Sequence, residues 1–471
     1  MSAAQPDSRR WIALGFIAVA QLMIALDATI VSIALPSAQA DLRVSDADRQ
    51  WVVTAYTLAF GGLLLLGGRI SDYIGRKRAF IVGLVGFAAA SAIGGAAPSF
   101  GVLVAARATQ GAFAALLAPT ALSLLAVSFT QARERATAFA VYGSIAGSGG
   151  AIGFLLGGVL TQYLVWRWCL YVNIPIAVAA IAGGWLVLRT SDISTRPKID
   201  VTGAVLAVGA LTALIYACSD VATSGWSAPT VLGLLVASAV LIVLFVVRES
   251  RTANPLLPLR ILADRNRAGA YLMVALTIAG MFGAYLFLTY YLQVVQHHTP
   301  LEAGLAFLPI TIASQAASWL VARRLIPQVP PRALIVPGVL VAAAGIALLT
   351  QLQVGSSFLT VVLPAEVLLG AGISTAMVPA FSTATQRVDP REAGIASATV
   401  NAAQQIGASL GTALLNTIAI SVTAGYVGSH AAALVHGFAV ATRWGAAILV
   451  LAALTAALLV NAARPAPQPA H

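Results

Sequence analysis

The sequence predicts an all-α integral membrane protein with fourteen transmembrane helices and both termini on the cytoplasmic side, and three observations carry that prediction. First, 59% of the 471 residues are hydrophobic and 9% are charged, with a mean hydropathy of +0.90. A water-soluble chain with so few charges would expose more apolar surface than folded proteins tolerate. Second, apolar segments of roughly twenty residues, enough to cross a bilayer as a helix, recur along the whole chain. Third, the basic residues alternate in position. If the N-terminus is cytoplasmic, all but five of the 27 Lys and Arg residues fall in cytoplasmic loops, the exceptions being Arg43, Arg49, Arg107, Arg167 and Arg443. One missed or surplus helix would invert that asymmetry from the error onward, so it supports the count as well as the orientation. The same distribution sets the net charge of +11 against the anionic inner leaflet, and no nucleic-acid partner is needed to explain it.

Span 1 (11–36) carries a single charge, Asp27, in LMIALDATIVSIALP. The SRRWIAL that precedes it resembles a twin-arginine export signal, but the apolar run is longer than a signal core and more spans follow. Ser45 to Asp48 would cap the start of span 2 (49–68), which ends in the basic loop GGRISDYIGRKR. Span 3 (79–97) is uncharged, and span 4 (100–127) contains Arg107. In span 5 (135–163), Gly149, Gly153 and Gly157 recur every four residues and Gly158 follows, a ridge-free face for close helix packing. Spans 6 (168–188), 7 (200–220) and 8 (228–248) are apolar runs, charged only at the ends of spans 7 and 8. Span 9 (268–295) adds Phe282, Tyr285, Tyr290 and Tyr291, aromatic material suited to flat amphipathic ligands. Thr299-Pro300-Leu301-Glu302 reads as a capping box opening span 10 (301–322). Just before it, His297 and His298 are expected in a wet external loop. Span 11 (333–350) precedes span 12 (357–385), which holds Glu366. Asp389 to Glu392 opens span 13 (392–420) as a second cap; this span carries Asn401, Gln404 and Gln405, and span 14 (437–462) closes the chain.

Asp27, Arg107 and Glu366 lie well inside their spans. Counting from the outer end of each helix, all three fall about 10–14 Å deep, a common level in the bilayer. An ionised group there costs at least about 2.5–3.5 kcal/mol, so such groups face a cavity or each other. The bland alternative is a fixed Asp27–Arg107 ion pair that orients spans 1 and 4.

Other chemistry is not encoded. The two cysteines, Cys169 and Cys218, lack metal-ligand spacing and are too few for a disulfide framework, so no metal site is expected. HExxH and P-loop patterns are missing and the five histidines are scattered, which argues against an enzyme. Arg outnumbers Lys 25 to 2, which points to a GC-rich bacterial genome and so to a bacterial cell membrane.

Several stretches together resemble the major facilitator superfamily. GGRISDYIGRKR (67–78) looks like its signature loop, and RATQGAFAA (107–115) and GFLLGG (153–158) match further motifs. LDATIVSIALP in span 1 and WRWCLYVNIP (166–175), with the fourteen spans, narrow the likeness to the drug:H⁺ antiporter branch. YLQVVQHHTPLEAGLAFLP (291–309) and GIASATVNAAQQIGASLGTAL (394–414) extend it over nearly the whole chain. The resemblance implies a six-helix bundle over 1–188, two additional helices with cytoplasmic linkers over 189–266, and a second six-helix bundle over 267–471. A substrate would be held between the bundles near midplane. Asp27, Glu366 and Arg107 are then the expected proton-coupling groups. Asp27, Tyr56, Arg107, Gln110, Phe282, Tyr285, Glu366, Asn401 and Gln404 are the expected cavity. Gly68, Asp72, Gly75, Arg76 and Arg78 would form a conformational latch on the cytoplasmic side.

The implied function is proton-coupled export of amphipathic drugs or antibiotics by alternating access; export of an endogenous metabolite, lipid or siderophore is the alternative. The two buried acids favour a cationic substrate, whereas Arg107 and the amides suit neutral or anionic ones. No cofactor is expected, because the inward proton gradient would drive export, and a monomer is expected. Two departures stand out. Phe154 occupies the position where the antiporter pattern has proline, which removes an expected kink. Tyr73 replaces the usual basic residue of the signature loop.

Overall fold

The structure, a computed structural model, describes residues 9–129, 131–188, 200–252, 255–326, 328–385 and 393–461. Fourteen long helical stretches follow one another, each at the place of an expected span. They are α1 (Arg9–Leu42), α2 (Trp51–Ile74), α3 (Arg76–Gly95), α4 (Phe100–Ser128), α5 (Ala132–Tyr163), α6 (Trp168–Val187) and α7 (Val201–Ser224). After these come α8 (Pro229–Arg251), α9 (Arg265–Val295), α10 (Pro300–Leu320), α11 (Pro331–Leu349), α12 (Phe358–Thr385), α13 (Ala393–Ala424) and α14 (His430–Leu459). Among the described residues thirteen helices are long and apolar enough to cross a membrane; α5, which is not one of those thirteen, is nonetheless a continuous 32-residue helix.

Local chemistry explains the ends and breaks. The capping box at α10 is formed: Glu302 N–H donates to Thr299 Oγ1 at 3.3 Å and Thr299 N–H to Glu302 Oε2 at 2.8 Å. Gly75, at φ 90°, turns α2 directly into α3, a backbone angle that glycine adopts without strain. α10 breaks at Phe307, because Pro309 two residues later cannot donate to the preceding turn. α6 is interrupted at Val172, just before Asn173 and Pro175. Asp200 caps α7 through Gly203 N–H at 2.9 Å and binds Arg248 of α8 at 3.1 Å.

Two expectations about caps have different outcomes. Ser45 to Asp48 does not cap α2. Its members hydrogen-bond one another in a separate turn, and the helix starts later, at Trp51, with no side-chain cap from Gln50. The cap expected at Asp389 to Glu392 lies outside the described residues.

Packing partners repeat between the halves. α1 packs on α5 and α6 as α9 packs on α13 and α14; α2 packs on α4 as α10 packs on α12; α3 packs on α4 and α6 as α11 packs on α12 and α14. Between the halves the main seams are α2–α13 and α5–α10, which are one contact exchanged by a pseudo-twofold. The only non-glycine residues with positive φ among those described, Arg43 and His297, occupy equivalent turns, α1–α2 and α9–α10. α7 pairs with α8 and reaches α2 and α13.

Glycine sets the closeness of the seams. A Cβ on Gly149, Gly153 or Gly157 would come within 2.5, 2.0 and 2.9 Å of α1 atoms, so this stripe packs α5 on α1. Gly158 points elsewhere, against Pro300 and Leu301 of α10. In the second half Gly407 and Gly411 of α13 approach α9 in the same way.

Candidate functional site

Asp27 sits at the centre of a network drawn from five helices of the first half. Its Oδ2 accepts from Arg107 Nη1 at 2.6 Å, and its Oδ1 accepts from Gln110 Nε2 at 3.1 Å and Asn173 Nδ2 at 2.9 Å. Arg107 also donates through Nε to the Val52 carbonyl at 3.0 Å and through Nη1 to Gln110 Oε1 at 2.9 Å. Its guanidinium lies 4.4 Å from the centre of the Tyr56 ring, and Ser91 of α3 accepts from Gln110 at 2.6 Å. Asp27 is 0% and Arg107 2% exposed. A buried ion pair offsets its desolvation only when additional hydrogen bonds serve the remaining lone pairs and protons, which is what Gln110, Asn173 and Val52 do.

Glu366 is buried without such help. It is 2% exposed, and neither carboxyl oxygen has a hydrogen-bond partner among the described residues. The backbone of Ile310, just past the break in α10, faces the carboxyl group without hydrogen-bond geometry. From α9, Tyr285 is close enough to interact with it electrostatically. α11 offers no polar group where Gly345 packs on the backbone of α12 beside it. Tyr285 belongs to an aromatic cluster: Phe154 of α5 stacks on Phe307 at 4.5 Å and lies 5.9 Å from Tyr285, and Phe282 meets Tyr285 edge-on at 6.3 Å.

The common depth of the three charges therefore does not amount to one site. Asp27 and Arg107 are brought together, along with Tyr56 and Gln110, while Glu366 stands in the other half with Phe282 and Tyr285. Asn401 is half-buried on α13 and donates to Ser397 O at 3.0 Å; Gln404 and Gln405 are half-buried beside it. Tyr290 and Tyr291 are engaged elsewhere: Tyr290 donates to Gln39 Oε1 and Tyr291 to Gln353 O at 2.8 Å. At the signature loop Asp72 pairs with Arg76 at 3.8 Å, Arg78 is exposed, and Gly68 lies inside α2 near Pro119 rather than in the turn. Arg69 reaches the Pro255 carbonyl at 2.9 Å. α5 runs unbroken through Phe154, and that ring stacks on Phe307 in the α5–α10 seam. Asn173 and Ser91 escaped the sequence reading. The available signal was a single amide in an otherwise apolar sixth span.

The sequence profile of the Major Facilitator Superfamily matches residues 17–412. The chain is a member of that superfamily. Among curated relatives of this facilitator, the puromycin resistance protein pur8 of Streptomyces alboniger is 50% identical over 97% of this chain and 92% of its own length. The lincomycin resistance protein of Streptomyces lincolnensis is 37% identical over 88% and 85%. Among solved structures, a bacterial homolog of the human lysosomal transporter Spinster, inward-facing and unoccupied, shares the fold with a TM-score of 0.70, 16% identity and coverage of 97% and 98%. The facilitator is thus a multi-pass membrane protein of a transporter family.

Proposed function

We propose that this facilitator exports antibiotic-like amphipathic molecules in exchange for protons, and that Glu366 is the carboxyl group that carries the exchanged proton. The observation behind this assignment is the contrast in partners: Asp27 accepts three hydrogen bonds, one of them from a cation, while Glu366 accepts none among the described residues. A carboxyl group that no cation or side-chain amide holds can exchange a proton for water or a cationic ligand that reaches it. Proton and substrate then compete for one group, which suffices for exchange when the loaded states rock between two orientations. Resistance proteins for puromycin and lincomycin among the relatives support an antibiotic-like substrate.

In this reading the Asp27–Arg107 network is a fixed frame for the first bundle, 267–471 is the second bundle, and 189–266 joins them. The polar links between halves cluster at the outer ends of the helices, which fits an outward-closed arrangement. Asp72, paired within its own loop here, would engage the second bundle when the cytoplasmic side closes. No cofactor is required, and one chain encloses the whole path. Proteoliposomes loaded with puromycin, with and without a pH gradient, test the reading. Gradient-driven transport by the wild type that disappears in Glu366→Gln supports it; transport equally driven in that variant overturns the assignment of Glu366.

A further inference from the structure

Arg49 stands at the outer end of α2, is one of five basic residues that depart from the inside rule, and is 2% exposed. Its guanidinium lies 3.9 Å from the centre of the Tyr290 ring on α9. It donates to Asp46 Oδ1 at 2.9 Å and to Asn416 Oδ1 on α13 at 3.5 Å. Asn416 in turn donates to the Asp46 carbonyl at 3.4 Å. Gln39 ties the same turn to α9, donating to Asp46 Oδ1 at 2.8 Å while accepting from the Tyr290 hydroxyl. One of Arg49's three partners therefore belongs to its own half and two belong to the other. The pseudo-equivalent seam, α5–α10, is closed differently: Gly158 packs on Pro300 and Leu301, and Phe154 stacks on Phe307.

We propose that Arg49 is the latch of the outer gate, a positioning residue that holds the two bundles together on the outer side until substrate is released. A buried guanidinium is tolerated only with its partners in place. Separating α2 from α13 removes Tyr290 and Asn416 and admits water, while Asp46 travels with Arg49. The charge is therefore satisfied in two states, by the opposite bundle when the gate is closed and by water when it is open. Such a group biases a two-state equilibrium without touching substrate or proton.

The test uses the full chain with Cys169 and Cys218 replaced by alanine and Ser409→Cys as reporter. Ser409 is fully buried on α13, its hydroxyl 2.6 Å from that of Thr57 on α2, so it sits on the seam the latch closes. In right-side-out vesicles, a membrane-impermeant maleimide added outside should label the reporter about tenfold faster after Arg49→Ala. Arg49→Lys, which keeps the charge but loses the planar stack, should fall between. Tyr290→Leu and Asn416→Ala should each accelerate labelling too, and they carry the test if Arg49→Ala does not fold. Labelling at the parental rate in the folded variants overturns the proposal. No pH gradient enters this assay, so its outcome is separate from that of Glu366→Gln.

Discussion

Asp27 and Glu366 are both carboxylates buried in apolar helices at a similar distance from the outer ends, and their surroundings are opposite. Asp27 is held by Arg107, Gln110 and Asn173. Glu366 has aromatic and backbone neighbours and no donor with hydrogen-bond geometry. The difference teaches that depth alone does not define a coupling group. A carboxylate tied to a cation and two amides is a fixed part of the frame, whereas one without such partners is open to exchanging whatever binds it. Substitution should therefore separate the two acids, one through transport and the other through stability.

The largest effect is expected on transport. For one-for-one exchange, each pH unit sustains about a tenfold substrate gradient. Glu366→Gln should reduce that accumulation to none in proteoliposomes, while the thermal midpoint in detergent barely moves, since the carboxyl group has no partners to lose. A large drop in melting temperature instead would show that the contrast with Asp27 is misjudged.

Asp27→Asn should do the reverse. It leaves Arg107 buried without a counter-charge, at a cost of about 3–5 kcal/mol. Thermal unfolding should register that cost directly. Adding Arg107→Gln to Asp27→Asn should recover part of it, because the uncompensated charge is then gone; a double variant less stable than the single would break the ion-pair account.

How much of this contrast the sequence could carry follows from what apolar helices encode. Depth is legible, because rise per residue is fixed and the span ends are marked by charges and caps such as Thr299 to Glu302. The glycine stripe of α5 is legible too, since its four-residue spacing already implies one face. Direction is not. α4 and α12 are apolar all round, so no amphipathic stripe says which way Arg107 or Glu366 points. The three charges could thus be set at one level and still be assigned to one cavity, when the fold separates them. Arg49 is a second case: as an exception to the inside rule it was visible, but its two partners on α9 and α13 lie more than two hundred residues away.

A smaller effect tests the ring of donors. Asn173 supplies one of the three hydrogen bonds to Asp27, and its own Oδ1 is unpartnered. Asn173→Ala should cost about 1.5–3 kcal/mol, the usual range for a hydrogen bond to a charged group. Gradient-driven transport per folded molecule should stay close to wild type. Loss of coupling in this variant, with stability retained, would move the proton from Glu366 back toward Asp27.

Asp200 isolates burial of the partner as the variable. Like Asp27 it accepts from a backbone or amide N–H, an arginine and one further donor, here Gly203, Arg248 and Thr252, but it lies at the membrane edge and Arg248 is 47% exposed. Burial by itself would raise its pKa, yet the Gly203 amide and Arg248 hold it below the usual carboxylate range. A lowered folded pKa means the stabilisation is fully present above the unfolded value and is lost as pH falls through the folded one, so any dependence appears only on the acid side. Asp200→Asn keeps the helix cap and gives up an ion pair open to water, which should cost less than about 1 kcal/mol at neutral pH. It should also flatten the decline of thermal stability toward low pH. A cost at neutral pH matching that of Asp27→Asn would mean that the number of donors, and not the dryness around the cation, sets how firmly a carboxylate is fixed in this fold.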